Sequence, residues 1–287
     1  MSTPADTSTL LVSCPDRRGI VAALAQVLHG HGANILDSDQ HTDPEAGIFF
    51  QRIRFDTTDL VTDRLSLERA VGEVAARMDM LYRLCTADRP KRMAIFVSKT
   101  DHCLYDLILR QRSGELRCEI PLIVSNHPDL KPVAEQFGIE FHVFPITADN
   151  KHEQEERELE LLARHSVDFV AMARYMQILS SEFIAAHPSW IINIHHSFLP
   201  AFSGGRPYRQ AHERGVKLIG ATAHYATADL DEGPIIEQAV ERVDHTFTPS
   251  ELTNVGRDLE SIVLNRAIRW HAEHRVFENG NKTVVLK

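Results

Sequence analysis

The chain has 287 residues, 43% hydrophobic and 25% charged, enough for one large domain or two of ordinary size with a sizeable core. Its formal net charge of -9 argues against a dedicated nucleic-acid binder, which needs a basic surface, while leaving room for a local basic pocket that takes an anion. No apolar stretch is long enough to span a bilayer, and the opening Met-Ser-Thr-Pro-Ala-Asp lacks the basic start and apolar core of a signal peptide.

Thr9–Cys14 reads as a short strand, and Pro15-Asp16-Arg17-Arg18-Gly19 as a turn in which Asp16 is placed to cap the next helix. Ile20, Leu24, Val27 and Leu28 then recur at helical spacing, with Gly30 and Gly32 as the stop. Two strands are expected at 33–40 and 48–55, a helix at 65–78 with Leu67, Val71, Val74 and Met78 on one stripe, and a last strand at 80–85. The order βαββαβ is ferredoxin-like. Residues 87–92 are polar and carry Pro90, which places the boundary of a first domain, 1–86, from a second, 93–287.

Beyond that linker, short apolar runs at 93–97, 120–125, 141–146, 168–173 and 190–195 alternate with helical segments, including the charged 151–165. Such alternation predicts an α/β fold, Rossmann-like, with a mainly parallel sheet. Residues 220–226 and 235–243 read as antiparallel additions and 250–271 as a long helix. The tail, 276–285, reads as a hairpin turning at Asn279-Gly280.

The segment Ile-Ile-Asn-Ile-His-His-Ser-Phe-Leu-Pro carries the chemistry. Ligands of parallel α/β sheets bind beyond the carboxyl ends of strands, and residues two apart on a strand point the same way. Asn193 and His195 can therefore meet one substrate. The turn Leu230-Asp231-Glu232-Gly233-Pro234 is placed to return a carboxylate to them. An amide donor, an imidazole and a carboxylate suit acyl chemistry at a carbonyl. Each of these residues alone reads most simply as a satisfied buried group; together they read as a catalytic site. His196 points to the opposite face and reads as structural. His224, on a strand running toward Asp231, reads as support behind the reacting groups.

Sixteen histidines raise the question of a metal. No His-Glu-x-x-His and no Cys-x-x-Cys is present, and adjacent His195 and His196 face opposite ways, so no metal is expected. The four cysteines, Cys14, Cys85, Cys103 and Cys118, have no paired spacing and predict reduced thiols in a cytoplasmic protein. After the strand at 93–97 the chain reads Ser98-Lys99-Thr100-Asp101-His102-Cys103, without the glycines a dinucleotide needs for close approach.

Asn193-Ile194-His195, Ser197-Phe198-Leu199-Pro200 and Leu230-Asp231-Glu232-Gly233-Pro234 resemble the formyltransferase-fold enzymes that use 10-formyltetrahydrofolate. The run from His195 through Ala201-Phe202 and Arg206-Pro207-Tyr208, with Ile219-Gly220-Ala221-Thr222-Ala223-His224-Tyr225 and Val243-Asp244-His245-Thr246, is most similar to the formyltetrahydrofolate deformylase family. Cys14-Pro15-Asp16-Arg17-Arg18-Gly19-Ile20-Val21 resembles an ACT domain, the amino-acid-binding module that precedes the catalytic fold in that family.

The resemblance implies hydrolysis of 10-formyltetrahydrofolate to tetrahydrofolate and formate, within one-carbon metabolism and purine biosynthesis, with no cofactor. It implies Asn193, His195 and Asp231 as the catalytic residues. The Asn193 amide and protonated His195 would stabilise the oxyanion, and Asp231 would orient His195 and shuttle protons. The pterin is expected against Met176, Ile178 and Leu179 and against Ala226, Thr227 and Gly233. His102 and Cys103 would close the side that an acceptor occupies in related transferases, and Arg206 is a candidate for the glutamate tail. A small amino acid, glycine or methionine, is expected at Asp16 and Gly19 of a homo-oligomer, where a helix start suits a carboxylate. A formyltransferase with another acceptor and a catalytically silent folate-binding regulator are the alternatives.

Overall fold

The computed structural model describes residues 7–86, 89–186, 190–200 and 207–287. They fall into two compact units, one ending at Pro90 and including His274–Phe277 and Val284–Lys287, the other Lys91–Glu273 with Glu278–Thr283. The tail segments 274–277 and 284–287 thus group with the first unit, whereas the sequence placed the whole tail in the second domain.

The first unit runs β1 (Thr7–Pro15), α1 (Ile20–Gly30), β2 (Asn34–Asp43), β3 (Ile48–Asp56), α2 (Arg64–Arg77) and β4 (Leu81–Thr86). Its sheet has the order β2-β3-β1-β4, with every pair antiparallel. Alternation on β1 and β3 sends Leu10, Val12, Ile53 and Phe55 into one core, where they meet Ile20, Leu24 and Leu28 of α1 and Leu67, Val71 and Val74 of α2. β2 runs three residues beyond its expected end. Its register with β3 continues to Asp43↔Ile48, and the Asp43 carboxylate accepts the Glu45 and Ala46 N–H groups of the turn.

Asp16 does not cap α1. The N-cap is Gly19, at φ 91° and ψ 0°, a left-handed conformation that suits glycine, and no side chain caps the helix. The Asp16 N–H donates to the Gly47 carbonyl at 2.8 Å, so that group of the expected effector turn is already used. The helix cap that a side chain does supply is at α2, where Asp63 accepts from Ser66 N–H at 2.7 Å.

The second unit continues β5 (Lys91–Val97), α3 (His102–Arg112), β6 (Cys118–Glu119), β7 (Leu122–Ser125), α4 (Lys131–Phe137), β8 (Glu140–Val143), α5 (Lys151–Arg164), β9 (Phe169–Met172), α6 (Ser181–Ala186) and β10 (Ile191–His195). It is completed by α7 (Pro207–Arg214), β11 (Leu218–Tyr225), β12 (Ile235–Arg242) and α8 (Pro249–Ala272); the tail forms the hairpin β13 (Val276–Asn279) and β14 (Lys282–Val285). The sheet order is β12-β11-β10-β9-β5-β7-β8, with β6 beside β5. Pairs from β10 through β9 and β5 to β8 are parallel, and β11 and β12 add antiparallel to β10, as the sequence predicts. The parallel strands β5, β7 and β9 are buried on both faces along most of their length, so they read as continuous apolar runs. Among the described residues no helix is long and apolar enough to cross a membrane.

One close approach sets the wall beside the site. A Cβ on Gly256 of α8 would lie 2.1 Å from the Tyr208 ring, and Tyr208 then reaches Glu260, one turn further along, with a hydrogen bond of 2.6 Å. A helix-interior glycine costs about 1 kcal/mol against alanine, so packing holds it there. Gly256→Ala gains that propensity but must displace a buried ring, and overpacking typically costs about 1–3 kcal/mol. The variant should melt below the wild type by differential scanning calorimetry; an unchanged or higher melting temperature would show that Tyr208 moves freely.

Candidate active site

β10 ends in the middle of the sheet, where the parallel strands stop and the antiparallel addition begins. Asn193 and His195 project from one face of it into a cavity of about 220 Å³, and His224 joins them from β11. The register pairs Asn193 with His224 and His195 with Thr222, so the second histidine is carried to the site by the sheet itself.

Asp231 arrives from the turn after β11. Its backbone is left-handed, at φ 60°, a conformation aspartate tolerates better than most residues. Gly233, expected against the substrate, lies outside the cavity lining and serves the backbone: a Cβ there would fall 1.8 Å from the Tyr225 carbonyl oxygen. That approach folds the turn back on the end of β11, where Tyr225 N–H donates to the Pro234 carbonyl at 3.0 Å. The Asp231 carboxylate then lies 3.2 Å from His195 Nδ1 and 3.6 Å from His224 Nε2. Hydrogen bonding to His195 first, with the His224 imidazole close by, holds this carboxyl far below the usual carboxylate range, against the opposing effect of partial burial. It is ionised at every pH at which the protein would be assayed.

His195 is buried, and its Nε2 has no hydrogen-bond partner among the described residues. With Nδ1 turned to Asp231, this second nitrogen is the polar atom left for a substrate. His224 is tied differently. The Tyr225 carbonyl, 2.9 Å from Nδ1, can only accept, so Nδ1 carries a hydrogen; Nε2 stands 3.3 Å from Asn193 Nδ2. His224 thus fixes the Asn193 amide and leaves one of its two N–H groups for another acceptor.

Met176, Ile178, Leu179, Ala226 and Thr227 line the same cavity, with Leu230 and Ile184. Met176 and Ile178 are more than half exposed, which places apolar surface at its mouth. His102 does not reach this cavity. It binds Glu260 at 2.8 Å and lines a second cavity beside the first. Cys103 lines neither; it is fully buried, and burial pushes its thiol well above the ordinary range, so it is inert core. His196 lines both cavities, and burial pushes its imidazole down to about 4. Arg206, Ala201 and Phe202 lie outside the described residues.

Two carboxylates missed by the sequence reading hold the lining from behind. Tyr175 O–H donates to Glu158 at 3.2 Å and Ser180 N–H donates to Glu155 at 3.0 Å, so the segment between them, which carries Met176, Ile178 and Leu179, is anchored at both ends on α5. Glu155 and Glu158 are buried on the same stripe as Leu161 and Leu162. Their spacing within that stripe was the available signal, obscured by the charge of the rest of the helix.

The comparisons define first the class. The pattern of the formyl transferase family matches residues 91–268, and that of the ACT domain matches residues 8–76. A formyltetrahydrofolate deformylase of Synechocystis sp. is 54% identical over 98% of both chains, and one of Bacillus subtilis is 52% identical over 98% of this chain and 94% of its own. The crystal structure of a formyltetrahydrofolate deformylase from Pseudomonas syringae is 41% identical, covers 98% of this chain and 94% of its own, and superposes with a TM-score of 0.94. The chain belongs to the formyltetrahydrofolate deformylase family.

Burial pushes the Glu158 carboxyl up to about 8, from an ordinary 4.5, with the charge of Glu155 adding to the rise. The folded protein therefore keeps a proton that the unfolded chain gives up, and stability falls as pH rises from about 4.5 toward 8. Glu158→Gln should unfold in urea with a flatter pH dependence over this window than the wild type. Identical slopes would place the titration elsewhere.

Proposed function

We propose that the first cavity hydrolyses 10-formyltetrahydrofolate to tetrahydrofolate and formate, with Asn193, His195 and Asp231 as the catalytic residues. The observation that carries this is the buried His195 Nε2 without a protein partner, facing the cavity between the Asn193 amide and an ionised Asp231. The pterin lies against Met176, Ile178 and Leu179, with Ala226 and Thr227 opposite, where apolar side chains cover its ring and backbone groups meet its edges.

Water attacks the formyl carbon, and negative charge grows on the formyl oxygen. The free Asn193 N–H and a His195 Nε2–H donate to that oxygen, which they stabilise more in the transition state than in the ground state. Asp231 accepts from His195 Nδ1 and so fixes which way the ring faces. A carboxyl held so far below its ordinary range is a weak base; its main contribution is orientation and charge, and the proton passing from water to the departing folate nitrogen moves while hydrogen-bonded to it. Water is favoured as acceptor because residues Ser98–Cys103, after β5, carry no glycine turn for an acceptor's phosphate.

No metal is part of this proposal. Among the described residues, the groups of three donors close enough for one ion are His102, Cys103 and Glu260, and Glu140, His142 and His165; neither includes the reacting residues. The four free cysteines suit a reducing, cytoplasmic compartment. A homo-oligomer joined through the ACT unit, and a supply of formate to one-carbon metabolism and purine biosynthesis, complete the reading.

Asn193→Ala should lose about 2.7–4 kcal/mol of transition-state stabilisation, read as a fall in kcat with little change in KM. His195→Ala and Asp231→Asn should bind the folate and lose most turnover. Formate released from the wild type without any added acceptor, and undiminished by a chelator, is the expected result of the assay. Turnover that requires an added amine, or that one equivalent of metal restores after dialysis, would replace the mechanism.

The ACT unit is proposed to bind glycine or methionine near Gly19 and to alter turnover, with a coupling of about 1–3 kcal/mol, typical of allosteric pairs. Calorimetric titration of the full chain with each amino acid, alongside rate measurements, tests it. An amino acid that neither binds nor changes the rate leaves the unit a purely structural role.

A further inference from the structure

The second cavity, of about 370 Å³, opens beside the first and shares Arg174, Met176 and His196 with its wall. Arg209 of α7, paired with Glu213 at 3.0 Å, and Arg257 of α8 also line it. Three arginines around one opening invert locally the charge of a chain whose formal net charge is -9. The mechanism above uses none of them.

Glu260 is the one acid among the lining residues, and its oxygens are already engaged. It accepts from Tyr208 O–H at 2.6 Å, pairs with His102 at 2.8 Å, and stands 3.4 Å from Arg174 Nε. The Arg174 Nε is nevertheless buried without a hydrogen-bond partner among the described residues. Arg174 also holds a left-handed backbone, at φ 66°, where glycine would sit without strain. Such strain persists where the side chain is required, and it gathers at functional sites. His196, on the shared wall and pushed down to about 4 by burial, is neutral at ordinary pH and adds no charge, so Arg174 is the cation of the wall that the two cavities share.

We propose that this cavity is the exit subsite for formate, with the Arg174 guanidinium as the group that takes the small carboxylate from the reaction centre. The inference rests on the hydrolytic reading of the first cavity. Hydrolysis splits one uncharged amide into an amine, which stays on the pterin side, and a planar monoanion. A planar guanidinium presents parallel N–H groups that match a carboxylate. Arg209 and Arg257 then offer the anion a cationic path toward solvent.

Calorimetry of the full-length free enzyme with sodium formate, and with inorganic phosphate as the competing anion, tests the subsite without turnover. Three heavy atoms limit formate to a Kd of about 1 mM or weaker. Arg174→Gly suits the backbone and should fold with wild-type circular dichroism, yet raise the formate Kd, and the inhibition constant of formate in the assay, by about tenfold or more. His195→Ala should bind formate as the wild type does. Formate binding that survives Arg174→Gly, binding lost only with His195→Ala, or phosphate preferred to formate would each overturn the proposal. Turnover without formate binding sinks the subsite alone; formate binding without turnover sinks the hydrolytic reading, and the exit role with it, and leaves only an anion site.

Discussion

The pairing of the Asp231 carboxylate with His195, close beside His224, is the interaction on which the site depends. Three segments must agree for it to exist. The register of β10 with β11 sets His224 opposite Asn193, the close approach at Gly233 bends the following turn, and the left-handed backbone at Asp231 turns the side chain inward. Each imidazole then has one nitrogen fixed, His195 by a carboxylate and His224 by a backbone carbonyl. What is left over, one nitrogen of His195 and one N–H of Asn193, points at the cavity. The groups proposed to meet the substrate are thus the remainder after the structural hydrogen bonds are satisfied.

Much of this was legible from residue order. Periodicity placed the elements of the first unit and most strands of the second, and the alternation of Asn193 and His195 put them on one face, because side chains alternate along any strand. Four features were not legible. Asp16 has the composition of a cap but the chain reaches α1 through a left-handed Gly19, so turn geometry overrode residue preference. Gly233 looks like a loop glycine near a ligand, yet its need arises from the Tyr225 carbonyl, eight residues earlier and folded back upon it. Cys103 follows His102 in sequence, but a helix turns successive side chains about 100° apart, and one faces a cavity while the other is sealed in the core. Arg174 gave no signal, since neither its backbone strain nor the cavity beyond it leaves a pattern in neighbouring residues.

The apolar lining is held by groups that are themselves costly to bury. Glu155 and Glu158 give up solvation to fix the ends of one short irregular segment, and each has a second oxygen without a protein partner. Burial raises the Glu158 carboxyl so far that protonation relieves most of the penalty, which leaves a neutral acid against a tyrosine hydroxyl. A loop that must present Met176 and Ile178 to solvent cannot be stabilised by burying them. Its order has to come from hydrogen bonds beneath it, and α5 supplies them.

The two cavities differ in the charge of their walls. The first is walled by Met176, Ile178, Leu179 and Ala226, with its polar groups gathered at the end of β10; the second is bounded by cations, with Glu260 neutralised in its floor. A substrate that is a flat ring system carrying an uncharged formyl group is matched to the first alone. Once the amide bond breaks, the one-carbon fragment bears a charge, and a mainly apolar wall beside an ionised Asp231 no longer suits it. Arg174 stands where the two walls meet, its guanidinium on the boundary that the new anion must cross. The reaction therefore changes which cavity its small product prefers, and that change, with no moving part, gives release a direction.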